Sequence, residues 1–226
     1  MIEIEDDLDR ETIYFLTETH KRDNSIRFKD STNSIHKIRD INDKKGGGLM
    51  MVWQAELELI SKEITSKFKD ILVTEMNMGR YKFISILVYM SVKDFKLNQE
   101  IYSEILRIID KFDDLDIIIL GDFNAHIGLI GYQKLNKSGE ALLNIMDKCN
   151  LIMMNMDDNK TTGAVTWQRA EQKSSIDYVL VNYKMYNKLK SMIIDEDREI
   201  IGISDHNLIC VNIEIVKPKK KKVGRL

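Results

Sequence analysis

The residues in this chain best suited to chemistry stand where apolar runs give way to polar ones. Asp122 follows the run DIIIL, inside LGDFNAHIG. A carboxylate in that place sits at the carboxyl end of a buried strand, where open α/β sheets gather ligands and catalysts. Gly121 permits close backbone approach, and Asn124, two residues on, can project an amide toward the same side. The same G-D-x-N string also makes a good turn for purely structural reasons. A second piece is SDHN at residues 204–207, just before the last apolar run. At a strand entrance Asp205 and His206 can diverge from one loop, one toward a metal and the other toward a substrate. Asp177 lies inside the apolar run of SSIDYVLV, and burying an unpaired carboxylate is costly enough that a histidine or a metal-bound group should meet it. Glu18 in FLTETH ends a further apolar run. Each piece is weak alone. Together they supply an acid–histidine pair, two further carboxylates for a hard divalent ion and an amide, which is the equipment of metal-assisted phosphodiester hydrolysis.

These groups need strands to carry them. Short runs rich in Ile, Val and Tyr predict strands at Ile13 to Leu16, Leu49 to Trp53, Ile71 to Met76, Tyr81 to Tyr89, Ile117 to Leu120, Leu151 to Asn155, Ile176 to Val181 and Asn207 to Val216. Two segments have helical spacing instead: Phe95, Ile101, Ile105, Ile108, Ile109 and Phe112 recur at threes and fours, as do Leu142, Ile145, Met146 and Cys149. Many strands with few long helices imply an α/β fold of two stacked sheets with helices outside. The triple glycine Gly46 to Gly48 lacks the Lys-Ser/Thr of a phosphate-binding P-loop and reads as a tight strand entry.

Composition sets the outer bounds. With 226 residues, 43% of them apolar, the chain can bury the core of one large domain, and no linker or repeat divides residues 12 to 216. Its two cysteines, Cys149 and Cys210, cannot form a disulfide framework or a zinc site, which points to a reducing compartment. The longest charge-free apolar run, Phe83 to Val92, is too short to span a bilayer, so no membrane partner is expected. The net charge of −2 hides an asymmetry, because the last ten residues, KPKKKKVGRL, hold six bases and no acid. Residues 1 to 216 therefore carry 28 basic against 36 acidic groups. An acidic body does not by itself advertise a nucleic-acid partner.

The ordered segments FLTETH, KKGGGLMMVW, ILVYMSV, IIILGDFNAHIG, GEALLNIMDKCNLIMMN, VTWQR, SSIDYVLV and ISDHNLI resemble the endonuclease/exonuclease/phosphatase superfamily, whose fold is that of DNase I. The wording of TETH, GDFNAHIG, TW, SSIDYVLV and SDH is most similar to the endonuclease domain of non-LTR (LINE-type) retrotransposons and to craniofacial-development-protein-2-like relatives. The resemblance implies a four-layer α/β sandwich of two stacked, mostly antiparallel sheets, an Mg²⁺ cofactor with Mn²⁺ as the alternative, and DNA as substrate. It makes Glu18 and Asp205 the metal-side carboxylates and brings Tyr89 to the scissile phosphate or leaving group. Asp122 becomes the general base or the orienter of the attacking water, with Asn124 beside it. His206 would hydrogen-bond a phosphate oxygen, oriented by Asp177, and Thr166 and Ser204 match positions that hydrogen-bond in the site. Trp167 reads as core or rim packing, and His20 and His126 as bystanders.

In one respect the chain departs from the superfamily. Relatives open with an Asn-bearing strand ahead of the Glu strand, whereas this sequence starts at MIEIEDDLDRETIYFLTETH and lacks that strand. A domain spanning residues 1–216 is thus expected to lack its first strand, losing a metal-side amide and leaving sheet edges unpaired. A reading frame opened at an internal methionine would account for the same fact. Two alternatives stand beside the nicking endonuclease: a degenerate or fragmentary nuclease fold with a binding role or none, and a phosphodiesterase acting on lipid phosphate or RNA. The tail of residues 217–226 reads as a disordered terminus, as a nuclear-import signal of the PKKKKV kind placing the protein inside the cell, or as a phosphate-contacting arm.

Overall fold

The computed structural model describes residues 9–20, 31–38, 47–129, 133–199 and 204–215. The acidic opening residues 1–8, Gly46 and the basic tail of residues 217–226 lie outside the described residues. In chain order the strands and helices are β1 (Ile13–Leu16), β2 (Thr32–Lys37), β3 (Leu49–Gln54), β4 (Leu59–Ile64), β5 (Ile71–Met78), β6 (Tyr81–Tyr89), α1 (Phe95–Lys111), β7 (Asp116–Asp122) and α2 (Lys137–Cys149). They continue as β8 (Ile152–Met153), β9 (Thr161–Thr162), β10 (Trp167–Arg169), β11 (Gln172–Ser174), β12 (Asp177–Val181), α3 (Tyr183–Tyr186), β13 (Leu189–Ile194) and β14 (Ile209–Ile213). All eight apolar runs enter strands, though the run at Leu151 shortens to a two-residue strand followed by a 3₁₀ turn over Met154–Met156.

The central sheet has six strands in the order β4-β5-β6-β7-β12-β8. Within this sheet only β6 and β7 pair in parallel. Both are near-continuous apolar runs, as a strand covered on two faces must be. On one face, Ile84, Ile86, Val88, Ile117 and Ile119 meet the apolar stripes of α1 and α2. Local signals set the helix ends: the Asp94 carboxylate accepts the Leu97 N–H, the Asn136 side chain accepts the Gly139 N–H, and Asn150 closes α2 in the left-handed conformation.

On the other face, Leu87, Ile118, Val179 and Val181 pack against a second layer. That layer holds two three-stranded sheets, β1-β3-β2 and β14-β13-β9. Leu49, Met51 and Trp53 of β3 and Leu189, Met192 and Ile194 of β13 enter the same core from the two sheets. The stacked-sheet α/β architecture is therefore the one the sequence implies, with α1 and α2 outside. Among the described residues, β1 pairs only with β3 and β14 only with β13, so each leaves an edge open. Their side chains Ile13, Phe15, Ile209, Val211 and Ile213 are half-buried against the shared core.

The sequence did not announce β2, β4 or β13, nor the two- and three-residue strands β9, β10 and β11. TNSIHK and LISKEI carry too few apolar positions, because β2 and β4 lie at sheet edges and need only one covered face. Because Ile119 is fully buried in the central strand β7, Ile119→Ala should lower stability by about 2–5 kcal/mol, seen as a lower denaturation midpoint with an unchanged slope.

Candidate active site

Register brings the first three groups together. Asp122 at the end of β7 stands opposite Asp177 at the start of the antiparallel β12, and opposite Tyr89 at the end of the parallel β6. Residues paired across neighbouring strands project to the same face, so a tyrosine and two carboxylates form one row across three strands. The row faces the layer between the sheets, at its rim. Gly121 is required for this arrangement: with φ at 133°, a side chain there would collide with the Val88 backbone of β6.

Loops from the second layer complete the site. The chain leaves β1 and turns at Glu18, whose φ of 50° lies in the left-handed region. Two bonds hold this turn, Thr19 N–H to the Gly48 carbonyl at 3.2 Å and His20 N–H to the Gly47 carbonyl at 3.2 Å. A Cβ at Gly48 would fall 2.5 Å from Thr19 Oγ1, so the glycines are indeed a strand entry, and one that seats Glu18. The Glu18 carboxylate accepts the Tyr89 hydroxyl. Burial, and then this carboxylate, push the Tyr89 hydroxyl up, so it stays protonated and donates.

His206 arrives on the loop before β14 and joins β10 by a single bridge to Trp167. Its Nδ1 lies 3.1 and 3.0 Å from the two oxygens of Asp177, an orientation in which Nδ1–H donates to the carboxylate. Ser204 Oγ accepts the His206 N–H at 3.0 Å, while the side chains of Ser204 and Asp205 remain exposed. Burial alone would lower the imidazole pKa. The hydrogen bond and charge of Asp177, aided by Asp122 and Asp205, outweigh it and hold His206 at about 9.

Asp122 has only 3% of its surface exposed. That burial, with Asp177 next to it and Glu18 further off, raises its pKa well above the carboxylate range, while His206 and the Asn124 N–H oppose the shift. Asn124, at φ 46°, fixes the carboxylate from both ends. Its N–H donates to Oδ1 at 2.8 Å, and its Nδ2 donates to Oδ2 at 3.1 Å and to the Met90 carbonyl at 2.8 Å. The G-D-x-N string thus makes its turn and aims the acid at once.

One ligand atom each from Asp122, Asp177 and His206 lies within 4.8 Å of the others. Two carboxylates with Glu18 close by form a donor set of hard oxygens, which suits a divalent cation. The buried, electrostatically crowded Asp122 is the group such a cation would return to its charged form. Glu18 and Asp205, the pair that the resemblance makes the metal side, stand beside this cluster. Glu18 reaches this cluster through Tyr89, whereas Asp205 stands at its exposed edge.

Thr166 makes its hydrogen bonds beneath the site. It is fully buried, and its Oγ1 accepts the N–H groups of Ile176 and Asp177, both at 3.0 Å, which pins the start of β12. Sequence reasoning passed over Asn155, the last residue of the LIMMN run. Its Oδ1 accepts the Val179 N–H at 3.0 Å and its Nδ2 donates to the Asp177 carbonyl at 3.1 Å, supplying bonds beside β12 where β8 has ended. Asn207 is likewise structural: its N–H bonds the Thr166 carbonyl at 2.7 Å and its Nδ2 the Val165 carbonyl at 2.8 Å. Both positions were visible in quoted strings but carried no signal beyond an amide near a strand end. His20 is exposed, with Nε2 3.9 Å from Glu18, and His126 bonds Ser174 at 3.3 Å.

The sequence profile of the endonuclease-reverse transcriptase family matches residues 83–210 of this chain. No curated protein matches it in sequence. Among solved structures, the endonuclease domain of TRAS1, a telomere-specific non-LTR retrotransposon, is similar at 18% identity with a TM-score of 0.67, over 87% of this chain and 85% of that one. The 3′ phosphatase NExo from Neisseria, bound to product DNA hairpin, is similar at 14% identity and TM-score 0.67, over 90% and 89%. The AP endonuclease LMAP from Leishmania major is similar at 10% identity and TM-score 0.65, over 88% and 77%. At such identities the likeness is one of fold.

The Asp177–His206 pair has a pH signature. Because the folded-state value of about 9 lies above the ordinary histidine value of about 6.5, the pair adds stability that is fully present below that ordinary value and is lost as pH rises through about 9. An NMR titration should find His206 titrating near 9 in the wild type and well below that in Asp177→Asn. A wild-type value near 6.5 would contradict the pairing.

Proposed function

The chain belongs to the endonuclease-reverse transcriptase family, within the DNase I-like endonuclease/exonuclease/phosphatase superfamily of phosphodiester hydrolases, and from that membership we infer a divalent-metal-dependent endonuclease that nicks DNA, derived from a non-LTR retrotransposon. The observation that carries this reading is the convergence of Asp122, Asp177 and His206 within 4.8 Å at the rim of the sheet sandwich. A likeness to a retrotransposon endonuclease domain and to a phosphatase bound to a DNA hairpin supports a DNA substrate.

Each residue then has a task set by its surroundings. His206, charged at neutral pH, presents Nε2–H to a phosphate oxygen while Nδ1–H stays on Asp177, so negative charge gathering on the phosphate meets a fixed positive group. Asp122, aimed by Asn124, accepts or orients the proton of the attacking water. The Tyr89 hydroxyl, held by Glu18, lies one strand from Asp122 and faces the scissile phosphate or its leaving oxygen. Mg²⁺, or Mn²⁺ in its place, would be held by Glu18 and Asp205 beside this cluster and would supply charge stabilisation for the phosphate and leaving oxygens.

Plasmid relaxation tests the reading. The wild type should convert supercoiled DNA to nicked circles with Mg²⁺ and stop on chelation with EDTA. The Asp122→Ala/His206→Ala protein should be slower by roughly 10²–10⁴-fold or more. Equal rates for the two proteins would sink the enzymatic claim.

The charge balance adds a second expectation. Acids outnumber bases 36 to 28 over residues 1–216, so long-range attraction to DNA falls to the six bases of residues 217–226. Deleting those ten residues should weaken DNA association and flatten its dependence on salt while leaving metal binding intact. Unchanged affinity would return the segment to an import signal or to no role.

A further inference from the structure

Between β13 and the His206 loop lies a charged segment that none of the site roles uses. Residues 195–199 read DEDRE, a string that resembles a solvated turn. Three of its residues, Asp195, Glu196 and Arg198, are buried or half-buried instead, and the last two bond the segments around the site. The Glu196 carboxylate accepts the N–H groups of Ala164 and Val165, the second at 2.7 Å, just before the buried Thr166. Arg198 reaches the other side: Nε donates to Asn207 Oδ1 at 3.0 Å, and Nη2 donates to the carbonyls of Gln168 at 2.6 Å and Asp205 at 3.1 Å. Arg198 does this from φ 56°, a left-handed conformation that costs a non-glycine residue energy and persists where the surroundings enforce it.

Asp205 and Asn207 are the two chain neighbours of His206. One guanidinium thus holds the backbone before the imidazole and the side chain after it, and ties both to β10. The Gln168 N–H closes the same circuit on the Asp205 carbonyl at 2.8 Å, and its Nε2 meets Asn207 Oδ1 at 3.1 Å. We propose that Arg198 is a positioning residue for His206, fixing the loop so that Nδ1 meets Asp177 and Nε2 faces the phosphate. The proposal rests on the reading of His206 as a group of the hydrolytic site. A planar fork spreads its donors over two separate nitrogens, here Nε and Nη2, and so can reach oxygens on both sides of the loop, whereas a lysine ammonium gathers its three donors on one atom at the end of a flexible stem.

The test uses Arg198→Met, Arg198→Lys and their combinations with His206→Ala. In the wild type, the Nδ1–H proton bonded to Asp177 should give a downfield NMR resonance that disappears in His206→Ala. In Arg198→Met that resonance should broaden into exchange, and Mg²⁺-dependent nicking should lose kcat by about 10–100-fold with KM little changed, as for residues that orient a site group from behind. Arg198→Lys should fall between. In the His206→Ala background neither substitution should slow nicking further, because the group they position is gone.

A wild-type resonance that persists unshifted in Arg198→Met would overturn the proposal. So would equal losses with and without the His206 imidazole, or absence of the resonance from the wild type. If Arg198→Met does not fold, Arg198→Lys is judged by the same criteria. Lack of nicking by the wild type would count against the proposed function, while the resonance comparison would still decide the role of Arg198.

Discussion

Two carboxylates and an imidazole with ligand atoms within 4.8 Å, one of the carboxylates almost wholly removed from water, present an electrostatic problem that the surrounding structure has to solve. Like charges in a poorly solvated place raise each other's pKa, and an isolated buried carboxylate tends toward neutrality. Here one positive charge, the imidazolium of His206, stabilises Asp177 through a direct bond and Asp122 through space. With that single positive group beside two carboxylates, Asp122 is still pushed well above its ordinary pKa, and a further cation at the cluster would draw it back toward the charged form.

The fold meets this demand in stages. The parallel β6–β7 pair and the antiparallel β7–β12 pair put Tyr89, Asp122 and Asp177 in register, using apolar runs that the two cores would bury in any case. The second layer then brings one group from each of its sheets: Glu18 from the end of β1 and His206 from the loop before β14. Among the described residues, neither sheet of that layer pairs with the central sheet. The separation between the Glu18 side and the His206 side is therefore set by core packing, while each side chain is aimed by a partner on the central sheet, Glu18 by Tyr89 and His206 by Asp177.

Much of this is legible in the sequence because strand ends can be read from hydropathy. DIIIL followed by Gly-Asp, or an acid opening YVLV, marks where a polar group leaves a buried strand, and these marks located Asp122 and Asp177. Their pairing is not legible, since register between β7 and β12 is set by tertiary packing across a separation of about fifty residues. Thr166 shows a second kind of opacity. A hydroxyl beside a motif tryptophan reads as a hydrogen-bonding group of the site, without saying to what; its lone pairs serve two backbone N–H groups beneath Asp177. Composition cannot separate a residue that touches substrate from one that holds the residue that does. DEDRE shows a third, because a charged turn looks the same in sequence whether its side chains face water or fold inward onto carbonyls.

Asn155 draws a further consequence from the way β12 ends. Beside Asp177, a single side chain stands where a neighbouring strand would otherwise continue, accepting one backbone bond and donating another. Aspartate has the shape without the donor, leucine has nearly the volume with neither function, and glutamine sets the amide one carbon too far out. Each would leave at least one backbone group in the interior unpaired, at a cost of about 1–3 kcal/mol. The strand that carries Asp177 is thereby held at its open side by one interior amide, whose two bonds no other side chain can reproduce at that place.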